Sequence, residues 1–143
     1  WAANLSQGVA LMTALLRQCA TVLGDQAVVS IHDSHHVHKL DAPSGTALAL
    51  GDAVKQGRLK SRAGSVQNPR STQADEEISY SSVREGEVIG DHTVRFELQD
   101  EVLEIHHKAL HRDVFAKGAL SAGEWLVKQK PGLYSTGDWL GLG

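Results

Sequence analysis

Hydrophobic positions in the first 25 residues recur at the spacing of an amphipathic helix. Residues on one face of such a helix are three to four positions apart, and five apolar side chains follow that rule: Val9, Met12, Leu16, Cys19 and Leu23. Ser6 lies just before the pattern, where a serine caps a helix, and Gly24 lies just after it. The pattern predicts a helix from Ser6 to Leu23.

A strand and a second helix are predicted next. Residues 27–33 (AVVSIHD) are short and rich in β-branched side chains, which is typical of a strand. Residues 42–46 (APSGT) open a helix with Ser44 as N-cap, and its apolar face ends near Gly57. Residues 58–75 are polar and aperiodic, so they predict a long exposed loop.

The second half of the chain predicts three strands and a helix. The strands cover residues 78–84, 92–98 and 102–109, separated by turn signals. The third helix is indicated by an apolar series that ends before the Pro-Gly pair at 131–132: Phe115, Ala119, Ala122 and Leu126. The order helix, strand, helix, three strands, helix predicts an α+β domain with a mixed sheet of about four strands.

Composition narrows the class of protein. A chain of 143 residues has room for one domain with a real core. The net charge is -3 and the basic residues are scattered, so nucleic acid is an unexpected partner. Cys19 is the single cysteine, which excludes an intramolecular disulfide and fits a reducing compartment. No apolar run approaches the length of a membrane span. These features predict a cytoplasmic protein without a membrane partner.

The candidate chemistry is concentrated in residues 34–48, where histidines and a lysine precede the start of the second helix. A helix N-terminus carries unpaired N–H groups and partial positive charge, which favour anions. The hydroxyls of Ser44 and Thr46 add hydrogen-bond donors there, and Lys39 adds a full charge. A histidine such as His35 exchanges protons near neutral pH. The loop therefore predicts anion binding and proton transfer in one pocket.

A metal site is the competing interpretation of the same loop. His32, His35, His36 and His38 lie close together in sequence, and imidazole is a common zinc ligand. Adjacent residues of an extended segment point to opposite sides, however, and no second cysteine exists. We therefore predict no metal, and keep a non-catalytic anion- or metal-binding module as the alternative function. Asp41 is expected to be structural, with an orienting role toward Lys39 as the other option.

Four segments resemble the dihydrodipicolinate reductase family. Residues 35–48 (HHVHKLDAPSGTAL) match its histidine-rich stretch followed by K-x-D-A-P-S-G-T-A without a gap. Residues 2–6 (AANLS) are similar to its hinge, residues 90–93 (GDHT) to its G-E-H-T strand entry, and residues 107–115 to its H-K-A-x-x-R-x-x-F segment. The likeness covers nearly the whole chain.

The resemblance implies a set of site residues. His35 would be the proton donor and Lys39 its catalytic partner. The substrate's carboxylates would be bound by residues of the loop and the helix start: His36, Ser44, Gly45 and Thr46. The nicotinamide ring would be lined by the hinge: Ala2, Ala3, Asn4 and Leu5.

The resemblance also implies an organisation and a reaction. Residues 1–5 would be the hinge from a missing N-terminal dinucleotide-binding domain, residues 6–130 the substrate-binding and oligomerisation domain, and residues 131–143 a C-terminal tail. The enzyme would reduce 4-hydroxy-tetrahydrodipicolinate or dihydrodipicolinate to tetrahydrodipicolinate in lysine and diaminopimelate biosynthesis. It would form a homotetramer. NADH or NADPH would be bound mainly by the missing domain, because this chain has no G-x-G-x-x-G turn.

Overall fold

The computed structural model describes Ala2, residues 4–64 and residues 78–142. Its long helices and its strands are α1 (Gln7–Leu23), β1 (Val28–His35), α2 (Gly45–Gly64), β2 (Ser79–Arg84), β3 (Asp91–Glu97), β4 (Val102–Lys108) and α3 (Asp113–Leu126), in the predicted order, and a short helix α4 (Thr136–Leu140) follows them. The predicted α+β class is confirmed. In the described part of the chain no helix is both long and apolar enough to cross a membrane.

The sheet is mixed and has four strands in the order β2-β1-β3-β4. β1 pairs with β2 in parallel and with β3 antiparallel, and β3 pairs antiparallel with β4. A parallel pair needs a crossover, which explains why α2 lies between β1 and β2 in the chain. β2 and β3 are consecutive in sequence, yet β1 separates them in the sheet.

One face of the sheet forms the core with α1 and α2. Alternate residues of a strand point to the same face, and Val29 and Ile31 of β1 lie beside Phe96 and Val94 of β3. All four side chains are at most 2% exposed. The helices contribute Leu16 from α1 and a set from α2 that is equally buried: Ala47, Leu50, Ala53 and Val54. The opposite face of the sheet has no helix packed on it among the described elements.

The first helix and strand agree with their predicted bounds, with one useful difference. Ser6 caps α1, since its side chain accepts a hydrogen bond from the Val9 amide at 3.3 Å. β1 continues two residues beyond the predicted end at Asp33 and includes His35. The extra residues bring the beginning of the histidine-rich loop into the sheet.

The prediction that α2 ends near Gly57 is wrong, because the helix continues to Gly64. Gly57 is needed inside the helix: a Cβ there would lie 2.4 Å from the Arg17 carbonyl oxygen of α1. Beyond it, Arg58 donates to the Ala27 carbonyl at 2.7 Å. These contacts stabilise the helix over residues 58–64, which the sequence predicts as loop. Residues 65–75 of that predicted loop lie outside the described residues.

The end of the chain contains an unpredicted helix. Residues 131–143 were expected to be a tail, yet α4 forms within them and contacts α1 and α3. Ser135 and Asp138 form a capping box, in which each side chain accepts a hydrogen bond from the backbone N–H of the other. Five residues are too few to produce a recognisable apolar period, so only the S-x-x-D signature indicated this helix.

We expect Gly57→Ala to lower the free energy of unfolding by about 1–3 kcal/mol, because the added methyl group overpacks the contact between α1 and α2. The matched control is Gly123→Ala in α3, where a Cβ meets nothing within 4 Å. That change should raise stability by about 0.5–1 kcal/mol through helix propensity. Urea denaturation measures both. Equal effects of the two substitutions would contradict the close helix contact.

Candidate active site

The covered face of the sheet changes from apolar to polar along one row of residues. The row crosses all four strands and consists of side chains paired by the strand register: Ser82, Asp33, His92 and His107. On β1 the apolar residues Val29 and Ile31 precede it on the same face. The row therefore marks the boundary between the hydrophobic core and a polar site.

Asp33 is the most buried charged residue of this row, with 1% of its surface exposed. Its carboxylate accepts hydrogen bonds from Ser82 Oγ at 2.5 Å, His35 Nδ1 at 2.9 Å and Arg84 Nη1 at 3.2 Å. Burial alone would raise the pKa of Asp33, but the Ser82 hydrogen bond, the Arg84 charge and His35 together lower it. Asp33 is therefore an ionised acceptor.

Three histidine rings pack side by side along the site. The ring centroids of His35 and His92 are 5.1 Å apart, and those of His92 and His107 are 6.2 Å apart. The N-cap serines of both long helices contact this cluster: Ser44 Oγ lies 3.4 Å from His92 Nε2, and Ser6 Oγ lies 3.3 Å from His107 Nε2. Both helices therefore begin at the histidines.

Burial favours the uncharged form of these histidines. It is the largest cause that lowers the pKa of His92, to about 4, and the neighbouring His35 lowers it further. Burial also lowers the pKa of His107. The pKa of His35 is lowered by burial as well, although Asp33 opposes this with its hydrogen bond and its charge.

The loop between β1 and α2 is held by charged side chains. Lys39 Nζ donates to Asp41 Oδ1 at 2.7 Å, which lowers the pKa of the Asp41 carboxyl. Arg84 Nη2 donates to the Asp41 carbonyl at 2.5 Å while its Nη1 holds Asp33. Arg84 thus connects the loop to the buried carboxylate, and the orienting contact of Asp41 with Lys39 is present.

A cavity of about 570 Å³ opens above the polar row. It brings together five of the residues named from the sequence: Asn4, His35, His36, Lys39 and Thr46. Asn4 Nδ2 donates to Thr46 Oγ1 at 3.1 Å, so the segment before α1 is joined to the start of α2. His38 is exposed and lies at the rim. Proton exchange and charge recognition are therefore possible in one space.

Other predicted residues lie elsewhere. Ser44 is 2% exposed, and its hydroxyl is occupied by capping Ala47 and by His92. Gly45 is exposed with open space around it. Ala2 and Leu5 line a second cavity of about 270 Å³ beside α3 and α4. Ala3 lies outside the described residues. The ligand roles of these residues stay predictions.

Several site residues were not recognised from the sequence. Asp33 is bonded to His35, Ser82 and Arg84 donate to Asp33, and His92 and His107 line the cavity. One local signal was available: Asp33 and His35 are two positions apart, so a strand places them on the same face. His92 and His107 lie in the family-like segments 90–93 and 107–115, which were a second signal, whereas Ser82 and Arg84 reach the site through strand pairing.

Metal binding is not supported by the positions of the potential ligands. Within the described residues, no three His, Cys, Asp or Glu side chains are grouped as ligands of one ion. The histidines instead contact serines, a carboxylate and one another. The arrangement suits an acid–base group beside an anion site.

The fold and the cavity together define an α+β domain with a polar cavity lined by histidines and a lysine. The sequence profile of the C-terminus of dihydrodipicolinate reductase matches residues 8–140. The chain therefore belongs to the dihydrodipicolinate reductase family, and it corresponds to the C-terminal part of that protein.

Individual relatives agree with this assignment. The chain is 47% identical over 146 residues to 4-hydroxy-tetrahydrodipicolinate reductase of Pseudomonas fluorescens, and 43% identical over 145 residues to that of Halorhodospira halophila. Each alignment covers 99% of this chain and 54% of the relative. The chain thus spans about half the length of the curated relatives it matches.

A solved structure has a similar fold. It is the dipicolinate-bound dihydrodipicolinate reductase from a Paenisporosarcina species, with a TM-score of 0.73 and 24% identity. The likeness covers 94% of this chain and 52% of that one.

We expect the stability of the domain to fall as the pH drops from about 6.5 to about 4, partly because of His92. The unfolded chain takes up a proton on His92 near its ordinary pKa of 6.5, whereas the native state does so only near pH 4. One such group contributes a slope of about 1 kcal/mol per pH unit in this range.

Urea denaturation of the parent and His92→Gln at pH 7 and pH 4.5 isolates that contribution. Glutamine does not titrate, so the variant should lose less stability on acidification than the parent. His35 and His107, whose pKa values are also lowered, affect both proteins alike. Parallel pH profiles would contradict a buried neutral His92.

Proposed function

We propose that this chain binds a cyclic imine dicarboxylate and supplies the proton for its reduction by NADH or NADPH. The observation that carries the proposal is the cavity in which His35, Lys39 and Thr46 meet. The substrate class is that of the relatives, which are named 4-hydroxy-tetrahydrodipicolinate reductases. The dipicolinate in the similar solved structure supports a planar dicarboxylate as ligand.

The anion-binding groups have free donors for such a ligand. Lys39 Nζ uses one of its three N–H groups on Asp41 and keeps the others. Thr46 Oγ1 accepts from Asn4, so its own hydroxyl hydrogen remains available for a carboxylate oxygen. His36 lies on the same cavity wall. Lys39, with Thr46 and His36, would bind and orient the substrate.

The proton-transfer group is His35. Its Nδ1 is bonded to Asp33, so Nε2 is the nitrogen that exchanges a proton with the cavity. Gly90 lines the cavity beside this atom, where a Cβ would lie 3.3 Å from Nε2. A ring nitrogen at this position would donate a proton to the carbon next to the one that is reduced.

The residues present fit only the nicotinamide end of a cofactor. Asn4 lines the substrate cavity, so a ring placed against the hinge would face the substrate. The sequence has no Gly-rich turn for a pyrophosphate, which is why most of the cofactor contacts are assigned to another domain. The bound nicotinamide would supply the hydride.

We infer the pathway, the cellular location and the oligomeric state from the same family. The proposal includes a role in lysine and diaminopimelate biosynthesis, a cytoplasmic location and a homotetramer. The uncovered sheet face supports an oligomer, because it carries Val28, Val83 and Val102 at 57%, 39% and 44% exposure. A sheet face of this kind is normally buried against another layer.

In the full-length protein that contains this chain, we expect His35→Gln to lower kcat by about 10²- to 10⁴-fold. KM should stay within a small factor of the parental value, because positioned proton transfer acts in the transition state. Lys39→Ala should change both kcat and KM, since the ammonium binds the substrate and stabilises developing charge. Steady-state kinetics with NADPH and with NADH measures both effects.

His38→Gln is the histidine control for these variants, because its ring is exposed at the rim. It should keep near-parental kcat. If His35→Gln retained parental kcat while His38→Gln lost it, the proton donor would be wrongly placed.

We expect pyridine-2,6-dicarboxylate to raise the melting temperature of the full-length protein through preferential binding to the native state. Thr46→Val should reduce the shift, because valine has a similar shape without the hydroxyl donor. Thr21→Val is the matched control, since Thr21 is on α1 and bonds only its own helix at Arg17. Equal shifts in both variants would contradict the carboxylate site at the start of α2.

A non-catalytic anion-binding module is the alternative function. It predicts the same thermal shift but no turnover in the parent protein. The kinetic and thermal experiments together therefore separate the two functions.

A further inference from the structure

Asp33 is a buried carboxylate at the edge of the site that does not line the cavity. A substrate therefore does not reach it. Its three hydrogen-bond donors come from β1 and β2: His35 Nδ1, Ser82 Oγ and Arg84 Nη1. A buried charge is costly unless it is well paired, so a carboxylate at this position needs an explanation.

We propose that Asp33 is a positioning residue for proton donation: its carboxylate holds the Nδ1 hydrogen of His35, so that Nε2 faces the cavity and carries the transferred proton. The inference rests on the proposed function of His35. An ionised carboxylate only accepts hydrogen bonds, so the hydrogen between the two residues must sit on Nδ1. This fixes both the tautomer and the orientation of the ring.

The proton step balances with the hydride supplied by the reduced nicotinamide. The hydride adds to one carbon of the substrate, and the electron pair displaced from the double bond forms a C–H bond at the neighbouring carbon. The Nε2–H bond of the His35 imidazolium breaks in this step. His35 is left neutral with its hydrogen on Nδ1, still bonded to Asp33, and it takes up the next proton from water.

Two cationic groups among the described residues disfavour a positive charge on His35. Lys39 in the loop and Arg84 on β2 are cationic, and the neutral ring of His92 on β3 covers one side. Burial acts in the same direction. Among the described residues whose charges act on His35, Asp33 is the anion, so the imidazolium that donates the proton depends on it. Asp33 contributes both the orientation and the charge of the donor.

The test compares Asp33→Asn with the parent in the full-length protein that contains this chain. Removing an adjacent opposite charge shifts a pKa by about 1–3 units. The descending limb of kcat/KM against pH should therefore move to lower pH. At pH values above this limb, kcat/KM of the variant should be about tenfold lower than that of the parent for each unit by which the pKa shifts. Nitrogen NMR of His35 should show the same shift and a loss of the pure Nδ1–H tautomer.

Two further variants make the effect specific. Asp33→Glu keeps the charge and should largely restore the position of the limb. Arg84→Gln removes a competing cation from Asp33 and His35, so it should move the limb to higher pH, opposite to Asp33→Asn. The charge-matched control is Asp100→Asn in the turn between β3 and β4, which should leave the profile unchanged.

A double variant links the effect to His35. In a His35→Gln background, Asp33→Asn should cause no further loss of kcat, because the group that it positions is gone. A residue that only stabilises the fold would lower the rate equally at all pH values and in both backgrounds. That result, or an unchanged His35 pKa by NMR in Asp33→Asn, would overturn the proposal.

Different results would reject the proposed function of His35 and the proposed role of Asp33. If His35→Gln kept parental activity, the proposed function of His35 would be wrong, whatever Asp33 does to the ring. If His35→Gln lost activity and Asp33→Asn left both the pH profile and the NMR titration unchanged, His35 would still be the donor and only the role of Asp33 would be rejected. Should Asp33→Asn not fold, nitrogen NMR of the parent decides, because a neutral His35 without a predominant Nδ1–H tautomer would reject the role of Asp33.

Discussion

The register of the four strands is the constraint on which the site depends. It places Ser82, Asp33, His92 and His107 side by side where the apolar face of the sheet ends. Because side chains alternate with a period of two, a slip of one residue in any strand would turn its polar member to the opposite face. The tight apolar pairing of neighbouring rows, such as Ile31 with Val94, fixes the register and with it the site.

The two long helices are tied to the same row. Ser6 and Ser44 cap them and contact His107 and His92 with the same hydroxyls. A serine hydroxyl that accepts from a helix amide keeps its own hydrogen and a second lone pair, so it can pair with a protonated or an unprotonated histidine nitrogen. The capped starts of both helices are therefore linked to the histidine cluster. The start of α2, where we propose that an anion binds, is positioned by the core as well as by the loop.

The sequence predicted the local features well and the pairings poorly. The helix of residues 6–23 and the loop from His35 to Thr46 rest on neighbours in the chain, where period, capping and residue type are informative. Asp33 acquires its role through Ser82, which is 49 positions away, and no local pattern indicates such a pairing. The extent of α2 was missed for the same reason, since Gly57 is explained by its contact with α1.

The charge balance of the cavity explains why proton donor and anion site belong together. Burial keeps His92 and His107 neutral and disfavours charge on His35, while Lys39 attracts an anion. A dicarboxylate bound at Lys39 would bring negative charge close to His35 and favour its imidazolium form. Substrate and proton would then enter the site together. In the free protein Asp33 is the group that keeps the ring oriented for this uptake, which is why a buried carboxylate is tolerated at the end of an apolar strand.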